Sequence, residues 1–147
     1  MAVPGSTGRA ALAVGIVVDC ADPQGLGGFW RELLHYGERP PPSGFASWAQ
    51  QREAVGPSDY WIVDPAGVGP SILFQPVPEA KVVKNRLHLD VKVSLPATDP
   101  DDVRRARVDA AVAPVLALGA TLLRRNEDPD DWFVVLADPE GNEFCLI

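Results

Sequence analysis

The sequence predicts an α+β fold made of two consecutive copies of one βαβββ unit, and three observations predict it. A predicted strand, a helix and further strands follow one another twice along the 147 residues. Each series closes on an Asp-Pro-x-Gly turn between two strands, and these turns begin at Asp64 and Asp138, 74 residues apart. Both helices precede a glycine, Gly37 and Gly119. Setting Gly15 against His88 offsets the two first strands by a similar 73 residues, and turns and strands that recur at nearly one spacing indicate a duplicated unit of roughly 70 residues.

The first unit opens with a strand and a helix. Residues 12–19 are rich in Val and Ile, which predicts a buried strand. Asp22 and Pro23 are typical of a helix start, as N-cap and first helical residue. Gly37 is the predicted C-cap. The apolar residues of the helix recur at helical spacing: Leu26, Phe29, Trp30, Leu33 and Leu34. Three glycines within it lower its helix propensity and are consistent with close packing on a sheet: Gly25, Gly27 and Gly28.

The rest of the first unit is predicted as loops and strands. Residues 40–44 contain three prolines and are therefore a loop. Residues 45–53 are ambiguous, with Trp48 and Gln50 possible strand positions. The remaining predicted segments are a strand Tyr60–Val63, a turn Asp64–Gly67, a strand Ser71–Gln75 and a connector Pro76–Asn85.

The second unit repeats this order. Residues 86–93 alternate apolar and polar side chains, which predicts a strand with one apolar face. A helix is expected from Thr98-Asp99-Pro100 to about Leu118, kinked or split at Pro114. Three further strands are predicted over Thr121–Arg124, Trp132–Ala137 and Glu143–Ile147.

Composition excludes several classes of protein. Hydrophobic residues make up 46% and charged residues 22%, as in an ordinary globular domain. A net charge of −7 argues against nucleic acid or an anionic membrane as partner and suits a cationic ligand. The longest apolar run, residues 10–18, is too short to span a bilayer. Two cysteines cannot form a disulfide framework, so we expect a cytoplasmic protein.

Four segments carry a resemblance to a known family. They are Val17–Pro23 with Phe29-Trp30, Phe74–Glu79, Lys84–Asp90 and Asp138–Cys145. Together they resemble the landmarks of glyoxalase-like domains of the vicinal oxygen chelate (VOC) superfamily. That superfamily includes glyoxalase I, extradiol dioxygenases, epimerases, fosfomycin-resistance enzymes and bleomycin-binding proteins.

The resemblance implies the glyoxalase/bleomycin resistance/dihydroxybiphenyl dioxygenase fold, in which two βαβββ modules form curled mixed sheets around a cleft. We expect one domain over residues 11–147 after a flexible N-terminus at 1–10. Module one is expected at about 11–78 and module two at about 85–147. Members commonly pair modules within or between chains, so the resemblance also implies a homodimer.

The resemblance further implies where a metal ion would bind. Metal-using members carry four ligands, usually His and Glu, on the first and last strand of each module. In this sequence the corresponding positions are Gly15, either Leu73 or Gln75, His88 and Cys145. At best His88, Cys145 and Gln75 offer donors. We therefore expect the divalent-metal site to be degenerate or absent, with His88 and Cys145 as ligands if any ion binds.

Strand alternation groups polar side chains on common faces. His88 and Asp90 are expected to point the same way, as are Glu143 and Cys145, and a cleft explains such polar faces best. His88 is the candidate acid or base, or else a structural histidine. Cys145 is either a soft ligand or nucleophile, or a small buried apolar residue. Glu143 is either a pocket carboxylate or a solvated charge.

Other candidates come from the first unit. Gln75 can recognise a carbonyl or amide of a ligand, or lie at the surface at a strand end. Trp48, Trp61 and Trp132 can stack on a planar ligand or belong to the core.

The sequence leaves three functions open. The first is an enzyme, such as a lyase, isomerase or dioxygenase, that uses His88. The second is a drug- or metabolite-binding protein of the bleomycin-resistance type, without metal chemistry. The third is a domain with a vestigial cleft that acts in protein association. In the first two the partner is a small organic molecule.

Overall fold

The computed structural model describes residues 12–129 and 131–147. The expected flexible N-terminus at 1–10 lies outside the described residues. The strands are β1 (Ile16–Cys20), β2 (Gly37–Glu38), β3 (Tyr60–Val63), β4 (Ile72–Pro76), β5 (Leu89–Val91), β6 (Thr121–Asp128), β7 (Asp131–Ala137) and β8 (Glu143–Leu146). The helices are α1 (Pro23–Leu34), α2 (Trp48–Val55) and α3 (Asp101–Ala117).

The strands form two four-stranded mixed sheets with the same topology. The first sheet has the order β1-β4-β3-β2 and the second β5-β8-β7-β6. In each sheet the first strand of the unit pairs in parallel with the last, and the other neighbours are antiparallel. The α+β fold of two βαβββ units is therefore confirmed, and the two sheets do not close into a barrel.

The first pair of the parallel strands in each sheet can be used to align the two units. Ile16 of β1 pairs with Ile72 of β4, and Leu89 of β5 pairs with Phe144 of β8. The residues one position earlier are Gly15 in the first unit and His88 in the second, so the predicted equivalence of these two residues agrees with the register.

Aromatic side chains join the two units in one core. Phe29 and Trp30 of α1 lie 6.0 and 5.0 Å from the Phe144 ring of β8, in edge-to-face geometry. The indole Nε1 of Trp30 donates to the buried Asp138 carboxylate at 3.1 Å. The Glu140 carboxylate accepts the backbone N–H groups at the start of α1. The second Asp-Pro-x-Gly turn therefore also holds the first helix.

One glycine of α1 allows close packing on the sheet. A Cβ on Gly27 would come within 2.3 Å of the Tyr60 ring and 3.0 Å of Phe74, whereas one on Gly28 would meet nothing within 4 Å. Gly27 therefore explains the close approach that the sequence suggested.

Several predicted boundaries of the first unit were wrong. β1 begins at Ile16 and is half-exposed rather than buried, because it is an edge strand and Val17 and Asp19 on one of its faces are exposed. Asp22 caps α1 as predicted, but the C-cap is His35 and not Gly37. His35 follows the last helical residue, Leu34, and takes the left-handed conformation at φ 56°. Gly37 instead begins β2, which was not predicted. The ambiguous segment around Trp48 is helix α2, because Ser47 accepts the Gln50 N–H as N-cap.

The second unit also differs in detail. β5 has only three residues, and Leu87 of the expected apolar face is 72% exposed. α3 continues through Pro114 without splitting and ends three residues later, at Ala117. β6 runs to Asp128, beyond the predicted end at Arg124. Among the described residues, no helix is long and apolar enough to cross a membrane.

Candidate functional site

A cavity with a volume of about 650 Å³ lies at one end of the second sheet. We call it the sheet-end cleft. Its walls are the ends of β5 and β8, the start of β7, the loop at 94–97 and the first turns of α3. Its volume is in the range of small-molecule sites. Asp90, Cys145 and Phe133 contribute to the wall, as do oppositely charged side chains such as Lys92, Asp101 and Arg104.

Asp90 and Cys145 meet across two strands. The register pairs them directly, as the alternation argument expects for polar residues on one face. The Cys145 thiol is hydrogen-bonded to the Asp90 carboxylate. Burial is the main cause of the raised pKa of this thiol, and the negative charge of Asp90 is the second cause. Cys145 is therefore a neutral thiol at pH 7, which is a poor nucleophile and a poor metal ligand.

Aromatic rings and arginines line the outer part of the cleft. The Arg105 guanidinium lies 5.5 Å from the Trp132 ring centre. Arg124, which lies outside the cleft lining, is 5.3 Å from the ring centre of Phe133. Arg104 pairs with Asp101 at 3.4 Å. Arg104 and Arg105 are thus already in contact with protein groups, and the Asp90 carboxylate contacts the Cys145 thiol.

His88 and Glu143 form a second group beside the sheet. The His88 Nε2 lies 3.8 Å from the Glu143 Oε2, and the Lys84 ammonium is hydrogen-bonded to the same oxygen. The Lys84 hydrogen bond is the main cause of the lowered pKa of Glu143. Glu143 also lines a smaller cavity of about 330 Å³ between β1 and the segment 85–89. His88 is 37% exposed, so solvent reaches the imidazole.

These residues do not fit the four-ligand metal centre that the superfamily resemblance implies. Gly15 has no side chain, and a Cβ placed there would contact the Ser71 hydroxyl at 3.7 Å. Leu73 offers no donor, and Glu143 is already bound to Lys84. Within residues 12–129 and 131–147, no three His, Cys, Asp or Glu side chains come together as a metal-ion site.

The remaining candidates lie in the first unit. The Gln75 amide donates to Asp19 at 3.4 Å. Trp61 lies on the same face of the first sheet as Gln75. The Arg39 guanidinium lies 4.4 Å from the centre of the Trp61 ring. Trp48 lies on α2, where its ring packs against Tyr60 at 4.9 Å. The structure therefore brings Asp90 and Cys145 together, and His88 with Glu143, but places Gln75, Trp48 and Trp61 apart from these pairs.

Sequence reasoning missed Lys84, Lys92 and Phe133. Lys92 has the strand parity of His88 and Asp90, so the same alternation rule was sufficient to find it. Lys84 lies outside β5, and only the three-dimensional path of the connector shows that it reaches Glu143.

Comparison with known proteins places the fold and the motifs in one family. The model of the glyoxalase-like domain family matches residues 15–147. The chain belongs to this family. It is thereby a member of the VOC superfamily, as the sequence motifs suggested. No curated protein matches the chain.

Solved structures support the same glyoxalase-like fold. A glyoxalase/bleomycin resistance protein/dioxygenase family enzyme from Burkholderia phytofirmans PsJN is 19% identical, with a TM-score of 0.59 and coverage of 89% of this chain and 93% of that one. The fosfomycin resistance protein FosX from Listeria monocytogenes is 13% identical, with a TM-score of 0.63 and coverage of 94% and 93%. At these identities the likeness concerns the fold alone.

Proposed function

We propose that this glyoxalase-like protein binds a compact organic molecule in the sheet-end cleft and does so without a divalent metal ion. The observation that carries the proposal is the cleft of about 650 Å³, whose wall includes Asp90, Cys145 and Phe133. In addition, one of the four positions that hold metal ligands in metal-using relatives is occupied here by Gly15, which has no side chain. A polar, aromatic-lined cavity of this size suits a small molecule. The carboxylate of Asp90 is the group we expect to select a cationic or hydrogen-bond-donating ligand.

A thermal-shift screen of metabolites and drugs, followed by calorimetry of the hits, tests this proposal. The hits should bind wild-type protein equally well with and without a chelator. Asp90→Asn should weaken binding at least tenfold, because it removes the carboxylate charge from the cleft wall. Asp59→Asn is the matched control, since Asp59 is exposed and lies outside the cleft. Hits whose binding is unchanged in Asp90→Asn would place the ligand elsewhere.

A second candidate function is a metal-independent lyase or isomerase. The proximity of His88 to Glu143 favours it, because a carboxylate beside an imidazole supports proton transfer. His88→Ala separates the two functions. Loss of turnover with unchanged ligand binding in this variant supports the enzyme. Unchanged ligand binding in a protein that shows no turnover supports binding alone.

We also propose that the protein is a cytoplasmic homodimer. Val17 and Leu87 both line the smaller cavity and are 59% and 72% exposed, which leaves an apolar rim between the two units. Both cysteines are buried and unpaired, as suits a reducing compartment. Light scattering at micromolar concentration should give about twice the chain mass of 15.8 kDa, and a mass equal to one chain would contradict the dimer.

A further inference from the structure

Lys84 is hydrogen-bonded to the Glu143 carboxylate, which also neighbours His88. Its ammonium bonds to the Glu143 Oε2, and the His88 Nε2 lies 3.8 Å from that same oxygen. The Glu143 side chain is 21% exposed, whereas that of Lys84 is 67% exposed. A positive group supplied by the chain therefore already neutralises this carboxylate.

The His88–Glu143 pair has the chemistry of two metal ligands. Imidazole nitrogen and carboxylate oxygen bind zinc-like ions at about 2.0–2.2 Å, so two such ligands of one ion lie roughly 3.0–3.5 Å apart. The observed separation of 3.8 Å is close to that range. Small side-chain rotations would bring both atoms onto one ion if the ammonium were not there.

If the Lys84 ammonium and a divalent ion both bound the Glu143 Oε2, the two positive charges would repel each other. Two positive charges at about 4 Å repel each other appreciably even in water, and more so near a protein surface. Lys84 thus blocks the ion in two ways, by occupying the carboxylate and by adding a like charge.

We propose that the Lys84 ammonium takes the place of a divalent metal ion at the His88–Glu143 pair and keeps this site free of metal. The inference rests on the proposed metal-independent function and gives a physical cause for it. It implies that removal of one positive charge uncovers a two-ligand metal site in the intact chain.

Titration calorimetry with Ni²⁺ in chelator-free buffer tests the proposal on the full-length protein. Lys84→Met removes the charge and keeps most of the side-chain length, and Lys84→Gln is a second neutral replacement. Lys84→Arg keeps the charge. Lys81→Met is the matched control, because the Lys81 ammonium bonds to the Val83 carbonyl at 2.8 Å and acts on Glu143 only at longer range.

Both neutral variants should bind Ni²⁺ at least tenfold more tightly than wild type, and adding His88→Ala should abolish the gain. Lys84→Arg and Lys81→Met should behave as wild type. Lys84 is exposed, so the variants should keep the wild-type melting temperature. A neutral variant no better than wild type overturns the inference while the proposed function stands. An equal gain in Lys81→Met also overturns it. Tight Ni²⁺ binding by wild type that needs His88 overturns the proposed metal-independent function as well.

Discussion

At the scale of single residues, one side chain at each cavity limits its chemistry: Cys145 in the sheet-end cleft and Glu143 at the smaller cavity. Cys145 is held as a thiol by burial and by Asp90, and Glu143 is held as a carboxylate chiefly by Lys84. The first effect removes a nucleophile, and the second removes a free anionic metal ligand. Neither partnership follows from residue type alone, because both depend on which strands become neighbours.

The state of Cys145 predicts slow thiol chemistry. Burial also raises the pKa of the other cysteine, Cys20, to about 12. At pH 8 both thiols of the native protein should react with a disulfide reagent at least tenfold more slowly than free cysteine. Asp90→Asn should speed the reaction of Cys145, because it removes the negative charge that raises the thiol pKa. Rates in a Cys20→Ser background identify the reacting thiol, and fast labelling of native Cys145 would contradict the assignment.

The Asp22 cap predicts a pH-dependent contribution to stability. Its carboxylate accepts the Gly25 N–H and pairs with Arg52, and that Arg52 bond is the main cause of its lowered pKa. A carboxyl whose pKa is lower in the folded state stabilises the fold above its unfolded pKa and loses this effect as pH falls through the folded pKa.

Asp22→Ala should therefore cost about 1 kcal/mol of the free energy of unfolding at pH 7, the usual value for an N-cap. The difference from wild type should shrink below pH 4, in urea unfolding followed by circular dichroism. Asp59→Ala, at an exposed residue outside the helices, should change little at either pH. A cost that stays constant down to pH 2 would mean that the carboxylate charge is not what stabilises the helix.

Single elements show where sequence periodicity is informative and where it fails. The buried residues of α1 include the predicted apolar positions Leu26, Phe29 and Trp30, and β3 has its predicted bounds, Tyr60–Val63. α2 was missed, because its helix is mostly exposed and only Gln51 within it is buried. β5 was overestimated for a related reason: alternation marks faces, but only pairing with β8 decides where a strand begins and ends.

Adjacent glycines of α1 give an element-scale prediction with opposite signs. Gly27→Ala should destabilise the protein by about 1–3 kcal/mol, because the new methyl group would clash with the Tyr60 ring. Gly28→Ala should stabilise it by about 0.5–1 kcal/mol, because its Cβ meets open space and alanine favours the helix. Chemical denaturation of both variants measures the two effects, and equal changes would contradict the packing of α1 described above.

The whole molecule repeats one topology, and that repeat was readable from the sequence. Two Asp-Pro-x-Gly turns 74 residues apart and a repeated order of strand, helix and strands sufficed to predict two βαβββ units, and motif resemblance predicted the family. The candidate site was only partly predictable. Alternation grouped Asp90 with His88 and Cys145 with Glu143, but the pairing of Asp90 with Cys145 and the roles of Lys84 and Phe133 depend on how strands and connectors come together in space.

The apolar rim between the units predicts an effect on assembly. Val17→Asp should shift the proposed dimer towards monomer, because it places a charge on an apolar surface that a second copy would cover. Val68→Asp is the matched control, since Val68 is 88% exposed in the turn that follows β3. Light scattering distinguishes the two, and a Val17→Asp variant with the wild-type mass would place any interface elsewhere.

We propose that this glyoxalase-like protein functions without a metal ion. The decisive measurement is metal analysis of protein purified without chelators, after equilibration with nickel, zinc, manganese and iron. We expect far less than one ion per chain for each metal. One tightly held ion per chain that is lost in the His88→Ala variant would disprove the proposal.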